Sequence, residues 1–225
     1  MHLAVIVKRI DISDNSPTNK LMDIGDKTAI EFAVNVRDKN EKANSKVSAI
    51  CIAPSESSEV IRECFSSGAD HGYLLDDKTF ESVNLDGLIT LLNKTVTHLE
   101  NCDVVLMSSP SSDNVTVSLG KKLADALNFK HIPYVESIER LSHSKLLVRT
   151  KKGTEVVEIP VLINLACDLE QHIPNASRIM KIYKKEVTIL NAKDLDFDLQ
   201  KANSGGPVQL SISDAIEASK KKAIR

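Results

Sequence analysis

Four short runs, Leu3–Val7, Val47–Ala53, Gly72–Leu75 and Asp103–Met107, are apolar at nearly every position and are separated by amphipathic stretches up to about residue 135. Continuous rather than alternating apolarity suits strands covered on both faces, and its alternation with helical period marks βαβ units around a parallel sheet. Thr28-Ala29-Ile30-Glu31 has the spacing of a capping box and predicts a first helix, with Ile30, Ala33 and Val34 on one face. A second helix is predicted from about Glu56 to a left-handed stop at Gly68. Asn84 can cap a third, in which Leu85, Leu88, Leu92, Val96 and Leu99 recur along one side. Leu119, Leu123 and Leu127 do the same in a fourth, from about Val117 to Asn128.

Beyond residue 135 the pattern changes. Lys145–Thr150 and Glu155–Ile159 flank Lys151-Lys152-Gly153-Thr154, which predicts an antiparallel hairpin. Val161–Ala166 is a further strand and Val187–Leu190 a further apolar run. A tail then runs to Arg225, with a flexible link at Ser204-Gly205-Gly206-Pro207 and a short helix begun near Ser213. The expected fold is α/β: an open, mainly parallel sheet flanked by helices, with an antiparallel hairpin addition and a C-terminal tail. The expected division is an α/β domain over residues 1–190 and an extension over 191–225, and the helical pattern regained in that extension implies packing on a partner chain or on its own domain.

Composition narrows the function by exclusion. With 225 residues, 42% of them hydrophobic, the chain can bury one sizeable core. Lys and Arg (29) nearly balance Asp and Glu (31), so no long-range field draws the chain to nucleic acid or an anionic membrane. The apolar run at the start is five residues long and is closed by Lys8-Arg9, which reads as a strand rather than a signal peptide. No run approaches the roughly 20 apolar residues that span a bilayer, and a cytoplasmic location is expected. Cys51, Cys64, Cys102 and Cys167 are widely separated, with no C-x-x-C and no clustered His, so reduced thiols are expected rather than a metal site or disulfides.

Ligands of open parallel sheets bind beyond the carboxyl ends of the strands. Three segments qualify: the one after Ile6-Val7-Lys8-Arg9, Asp23-Ile24-Gly25-Asp26 ahead of the first helix, and Ser108 through Thr116. The third is rich in small hydroxyl residues just before a helix, where backbone N–H groups and the helix dipole favour a phosphate. The same residues also serve capping and turning, so composition leaves both uses open. Neither G-x-G-x-x-G nor G-x-x-x-x-G-K-[ST] occurs. No G-x-S-x-G or H-E-x-x-H is present either, and His71, His172, the pairs Asp76-Asp77 and Asp194/Asp196, and Lys181, Lys184 and Lys185 all read as solvated. No catalytic or metal-ligating residue is assigned.

In order and spacing, several segments together resemble the beta subunit of electron-transfer flavoproteins. They are Val7-Lys8-Arg9, Asp26 to Val34, Ala49-Ile50-Cys51-Ile52-Ala53-Pro54, Ser67-Gly68-Ala69-Asp70 and, most closely, Ile179-Met180-Lys181-Ile182-Tyr183-Lys184-Lys185. The resemblance runs from residue 1 to about 190 and implies an adenine-nucleotide-hydrolase-like fold. It also implies an electron-carrying heterodimer that shuttles electrons from dehydrogenases to an acceptor. FAD would be held mainly by an alpha subunit, with AMP, or a second FAD, in this chain. Carried over position by position, the nucleotide contacts are Ile6, Asp23, Gly25, Asp26, Ile52, Ser108, Ser111, Ser112, Asp113, Asn114, Val115, Thr116, Val117, Ser118 and Leu119. The family's Asn-Pro is replaced by Asp23-Ile24, and its Asp-rich loop by one with only Asp113.

Residues 168–180 align with the loop that docks family members onto acyl-CoA dehydrogenases, but with Ala176 near the place of the usual anchoring leucine. Two other classes share a similar sheet. A free-standing adenine-nucleotide-binding regulator of the universal-stress type would need a glycine-rich phosphate loop, and an ATP pyrophosphatase would need S-G-G-x-D-S after the first strand; this chain has neither.

Overall fold

The computed structural model describes residues 1–9, 22–39, 44–109, 114–166 and 185–203. Among these, nine strands form one sheet: β1 (His2–Val7), β2 (Lys46–Ile52), β3 (His71–Leu75), β4 (Val104–Ser109), β5 (Lys130–Arg140), β6 (Lys145–Thr150), β7 (Gly153–Glu158), β8 (Val161–Ala166) and β9 (Val187–Leu190). Their order across the sheet is β7-β6-β5-β8-β4-β1-β2-β3-β9. The strands from β5 to β9 in that order pair in parallel, whereas β5, β6 and β7 form an antiparallel meander.

Successive strand side chains point to opposite faces, so each continuous apolar run feeds two cores. Leu3, Val5 and Val7 pack beneath α1 (Ile24–Asp38) and α2 (Glu59–Ser67), against Ile30, Ala33, Val34, Ile61 and Phe65. Ala4 and Ile6 face the other way, toward α3 (Leu85–His98) and α4 (Asn114–Leu127), where Leu91, Leu92, Val96 and Leu123 are buried. Each fully buried leucine of this kind contributes about 2 kcal/mol relative to exposure. Gly68 takes the left-handed conformation that ends α2, with φ 112°, and Asn84 caps α3 by accepting from the Gly87 N–H, both as the sequence predicts.

Three local expectations are corrected. α1 begins at Ile24, not at Thr28: the Asp23 side chain accepts from the Gly25 N–H at 2.7 Å and so provides the cap. Thr28 already lies inside the helix and donates its hydroxyl to the Ile24 carbonyl at 3.0 Å, which removes it from any capping role. Ser108 and Ser109 belong to β4, and α4 starts at Asn114, so the described ends of the hydroxyl-rich segment are strand and helix. β5 is an eleven-residue strand where the sequence showed none. Its register shifts between Ile132 and Val135 against β8, and again between Val135 and Ser137 against β6.

The segment after β9 turns back onto this chain. Leu195, Phe197 and Ala202 join the second core, and the Phe197 ring meets Phe80 edge-on at 5.5 Å. α5 (Leu199–Ala202) ends at Asn203, whose Oδ1 accepts from the Asn84 N–H at 3.0 Å and whose Nδ2 donates to the Ser82 carbonyl at 3.1 Å. Residues 204–225 lie outside the described part.

Candidate functional site

β1, β2 and β3 wind outward in one direction, and β4 then returns to the other side of β1. The carboxyl ends of β1 and β4 therefore mark the point where the winding reverses, and connections leaving in opposite directions open a crevice there. Ile6 pairs with Met107 across these strands, so Lys8 and Ser108 lie just beyond, at the strand ends, with Ser108 buried.

Asp26, in the first turn of α1, packs against these strand ends and is 0% exposed. One carboxylate oxygen, Oδ2, accepts from the Lys8 N–H at 2.5 Å. The other, Oδ1, accepts from the Ser108 hydroxyl. Burying a carboxylate is costly, and here two hydrogen bonds and the positive end of α1 offset part of that cost. Burial dominates all the same and pushes the Asp26 carboxyl up to about 6, against the opposing effects of the Lys8 charge and the two hydrogen bonds. Beside it, burial and the Asp26 charge push the Cys51 thiol up to about 12, so Cys51 is a packing residue and no nucleophile at neutral pH.

The opposite wall is the start of α4, positioned from beneath by the sheet. Asn164 is fully buried in β8, where its Oδ1 lies 2.7 Å from His131 Nε2 and its Nδ2 donates to the Thr116 carbonyl at 3.4 Å. Gly120 permits this close seating, since a Cβ there would fall 2.2 Å from Asn164 Oδ1. Tyr134, held at φ 57° where β5 departs from regular register, donates its hydroxyl to Asn114 Oδ1 at 2.7 Å. A non-glycine residue with positive φ costs strain, and here the bulge aims the ring at the first residue of α4. The first turn of α1 carries Asp26 behind its Asp23 cap, whereas the first turn of α4 carries no acid.

Of the residues singled out from the sequence, Asp26 and Ser108 are brought into direct contact, and Asp23 and Gly25 form the cap behind them. Ile6 is buried in the second core, and Ile52 ends β2 half-buried. Asn114, Val115, Thr116, Val117, Ser118 and Leu119 form the first turns of α4. Ser111, Ser112 and Asp113, and the whole of 168–180, lie outside the described residues. Four residues of the α4 wall, Gly120, His131, Tyr134 and Asn164, were missed from sequence. The Asn164 signal was a polar residue in the apolar run Val161–Ala166, where burial demands partners.

Two large apolar side chains stand at the mouth, Ile24 at the start of α1 and Val115 at the start of α4, 52% and 56% exposed. Among the described residues no three His, Cys, Asp or Glu side chains converge as a metal site. Cys51, Cys64 and Cys102 are free, as the sequence predicts. No helix among the described residues is long and apolar enough to cross a membrane.

A model of the electron transfer flavoprotein domain matches residues 16–195. Among individual proteins, an electron transfer flavoprotein subunit beta of Thermoanaerobacterium thermosaccharolyticum is 31% identical over 179 residues, which cover 77% of this chain and 67% of the relative. The caffeyl-CoA reductase-Etf complex subunit CarD of Acetobacterium woodii is 29% identical, with 76% of this chain and 66% of the relative covered. A probable electron transfer flavoprotein subunit beta of Saccharomyces cerevisiae is 26% identical, covering 75% and 67%. The matched part of the chain thus spans about two thirds of the length of these relatives.

Proposed function

The chain belongs to the electron transfer flavoprotein family, and on that premise we propose that it is the beta-type subunit of a heterodimeric electron carrier. In this reading it shuttles electrons from dehydrogenases to an acceptor through FAD held mainly by an alpha subunit, with AMP, or a second FAD, in its own crevice. The flavin supplies the redox chemistry. This chain's residues bind and orient, and none of them is catalytic.

The observation that carries the nucleotide part of the reading is the winding reversal at the ends of β1 and β4, with the Asp26–Ser108 pair beside it and a helix whose first turn holds no acid starting at Asn114. That chemistry fits a nucleotide. Backbone N–H groups at the start of α4 and the hydroxyls of Ser111, Ser112 and Thr116 suit phosphate, while Ile24 and Val115 offer apolar surface to a ring or to a partner chain. Asp23, Gly25, Ile6 and Ile52 complete the assigned contacts. Residues 1–190 are assigned as a nucleotide-binding, adenine-nucleotide-hydrolase-like domain and 168–180 as the dehydrogenase-facing loop, while of the extension over 191–225 the part to Asn203 packs on this chain and 204–225 is assigned to dock on the alpha subunit.

The test is co-purification of this chain with an alpha-type subunit, followed by an absorbance spectrum and chromatography of the released nucleotides. A yellow heterodimer releasing FAD with AMP is the expected result, and two FAD without AMP would place the second flavin here. A colourless chain that binds ATP and ignores any alpha-type subunit would overturn the assignment in favour of a free-standing adenine-nucleotide regulator.

A further inference from the structure

Asp26 stands out among the described residues as a carboxylate with no exposure at all, and one of its partners can reverse its hydrogen bond. The Lys8 N–H can only donate, so Oδ2 must remain an acceptor. Ser108 is different, because a hydroxyl donates or accepts. When Asp26 is ionised, Ser108 donates to Oδ1. When Oδ1 carries a proton, the carboxyl donates to Ser108 Oγ, and the hydroxyl hydrogen of Ser108 is released for another acceptor.

We propose that a nucleotide phosphate entering the crevice is bound together with one proton, which is taken from solvent by Asp26 Oδ1 and reverses its hydrogen bond with Ser108. This rests on the nucleotide reading of the crevice and specifies its electrostatics. A buried carboxylate and a phosphate in one low-dielectric crevice repel, and a proton on Asp26 removes one of the two charges. Burial already holds the free carboxyl at about 6, so an added anion raises it through the neutral range.

Among the described residues no other group facing Asp26 takes that role. Lys8 and Arg9 follow β1, and Lys8 favours the ionised form. Asp23, at the α1 cap, opposes it. Cys51 on β2 and Cys64 on α2 are held as thiols by burial, and Glu63 on α2 is engaged by Lys27 Nζ and the Met22 N–H, each at 3.3 Å. β4 presents only the hydroxyls of Ser108 and Ser109, and the first turn of α4 holds no acid.

The test is calorimetric titration of AMP into the full chain, alone or with its alpha-type partner and freed of bound nucleotide, in buffers of different ionisation enthalpy. Wild type is expected to take up close to one more proton than Asp26→Asn, whose amide copies the protonated carboxyl by accepting from Lys8 and donating to Ser108. Wild-type affinity should gain on that of the variant by up to about tenfold per pH unit as pH falls toward about 6, and level off below. Ser108→Ala, which removes the reversing hydroxyl, should lose the phosphate-linked gain while still folding. Infrared difference spectra of wild type should show a protonated-carboxyl band on AMP binding, a readout that needs no variant. AMP binding with equal proton uptake in wild type and Asp26→Asn, or with no such band, overturns the proposal and leaves the nucleotide site standing. Failure of AMP or FAD to bind wild type overturns the nucleotide reading, and the proposal with it.

Discussion

At the scale of a single residue, the crevice exists at the expense of stability. Asp26 in the folded chain titrates at about 6, above the roughly 3.9 of an unfolded aspartate. A folded value raised in this way means that the group's contribution is most favourable below the unfolded value and is lost as pH rises through about 6. At neutral pH the loss is on the order of 3 kcal/mol before relaxation. Asp26→Asn is therefore expected to be more stable than wild type by roughly 1–3 kcal/mol at about pH 8, with the gap closing toward about pH 4. Urea unfolding at several pH values measures this directly. A variant less stable than wild type at every pH would mean that the two hydrogen bonds outweigh burial. No sequence rule pointed to this arrangement, because Asp26 and Ser108 lie 82 positions apart and meet only once β4 folds beside β1.

At the scale of elements, the wall opposite Asp26 depends on how closely α4 approaches β8. Gly120 faces Asn164, which is buried and held by both His131 and Thr116, so the amide has little room to retreat from a new methyl group. Gly120→Ala is expected to cost about 1–3 kcal/mol, although alanine is the better helix former, because overpacking here exceeds the propensity gain of about 1 kcal/mol. AMP affinity should fall as well, since the first turn of α4 shifts with the helix. Chemical denaturation and an AMP titration of the same variant check both parts, and a stabilised variant would show that α4 is seated more loosely. The parallel core, the Gly68 stop and the Asn84 cap were legible because each follows from local pattern and conformational preference. β5 was not. Two register shifts break its period of two, so the inward residues Ile132, Val135 and Ile138 fall three apart, and Pro133 and Tyr134 read as a turn. The start of α4 was hidden for a related reason: serine, aspartate and asparagine suit a loop, a cap or a first turn equally, and only the end of β4 decides between them.

At the scale of the molecule, the packing of the chain on itself can be followed as far as Asn203. Residues 191–203 close the second core with Leu195, Phe197 and Ala202, and Asn203 satisfies backbone groups at the start of α3. Ending the chain at Leu190 would uncover Phe80 and remove the hydrogen bond from the Asn84 N–H to Asn203 Oδ1, a combination of cavity and lost hydrogen bond expected to cost about 3–5 kcal/mol. Ending it at Asn203 removes none of these contacts, so the truncated chain should unfold at the same urea concentration as the full one. The start of α3 lies at the carboxyl edge of the sheet, because α3 runs back against β3 to reach β4. Asn203, held at that start, therefore lies on the same edge as the candidate site. Chains ending at 190 and at 203 thus separate two roles that one truncation would confound. The 1–203 chain should keep its stability and its AMP affinity while losing association with an alpha-type subunit in size-exclusion chromatography. Undiminished association of 1–203 would place the partner interface wholly on the folded domain and remove 204–225 from it.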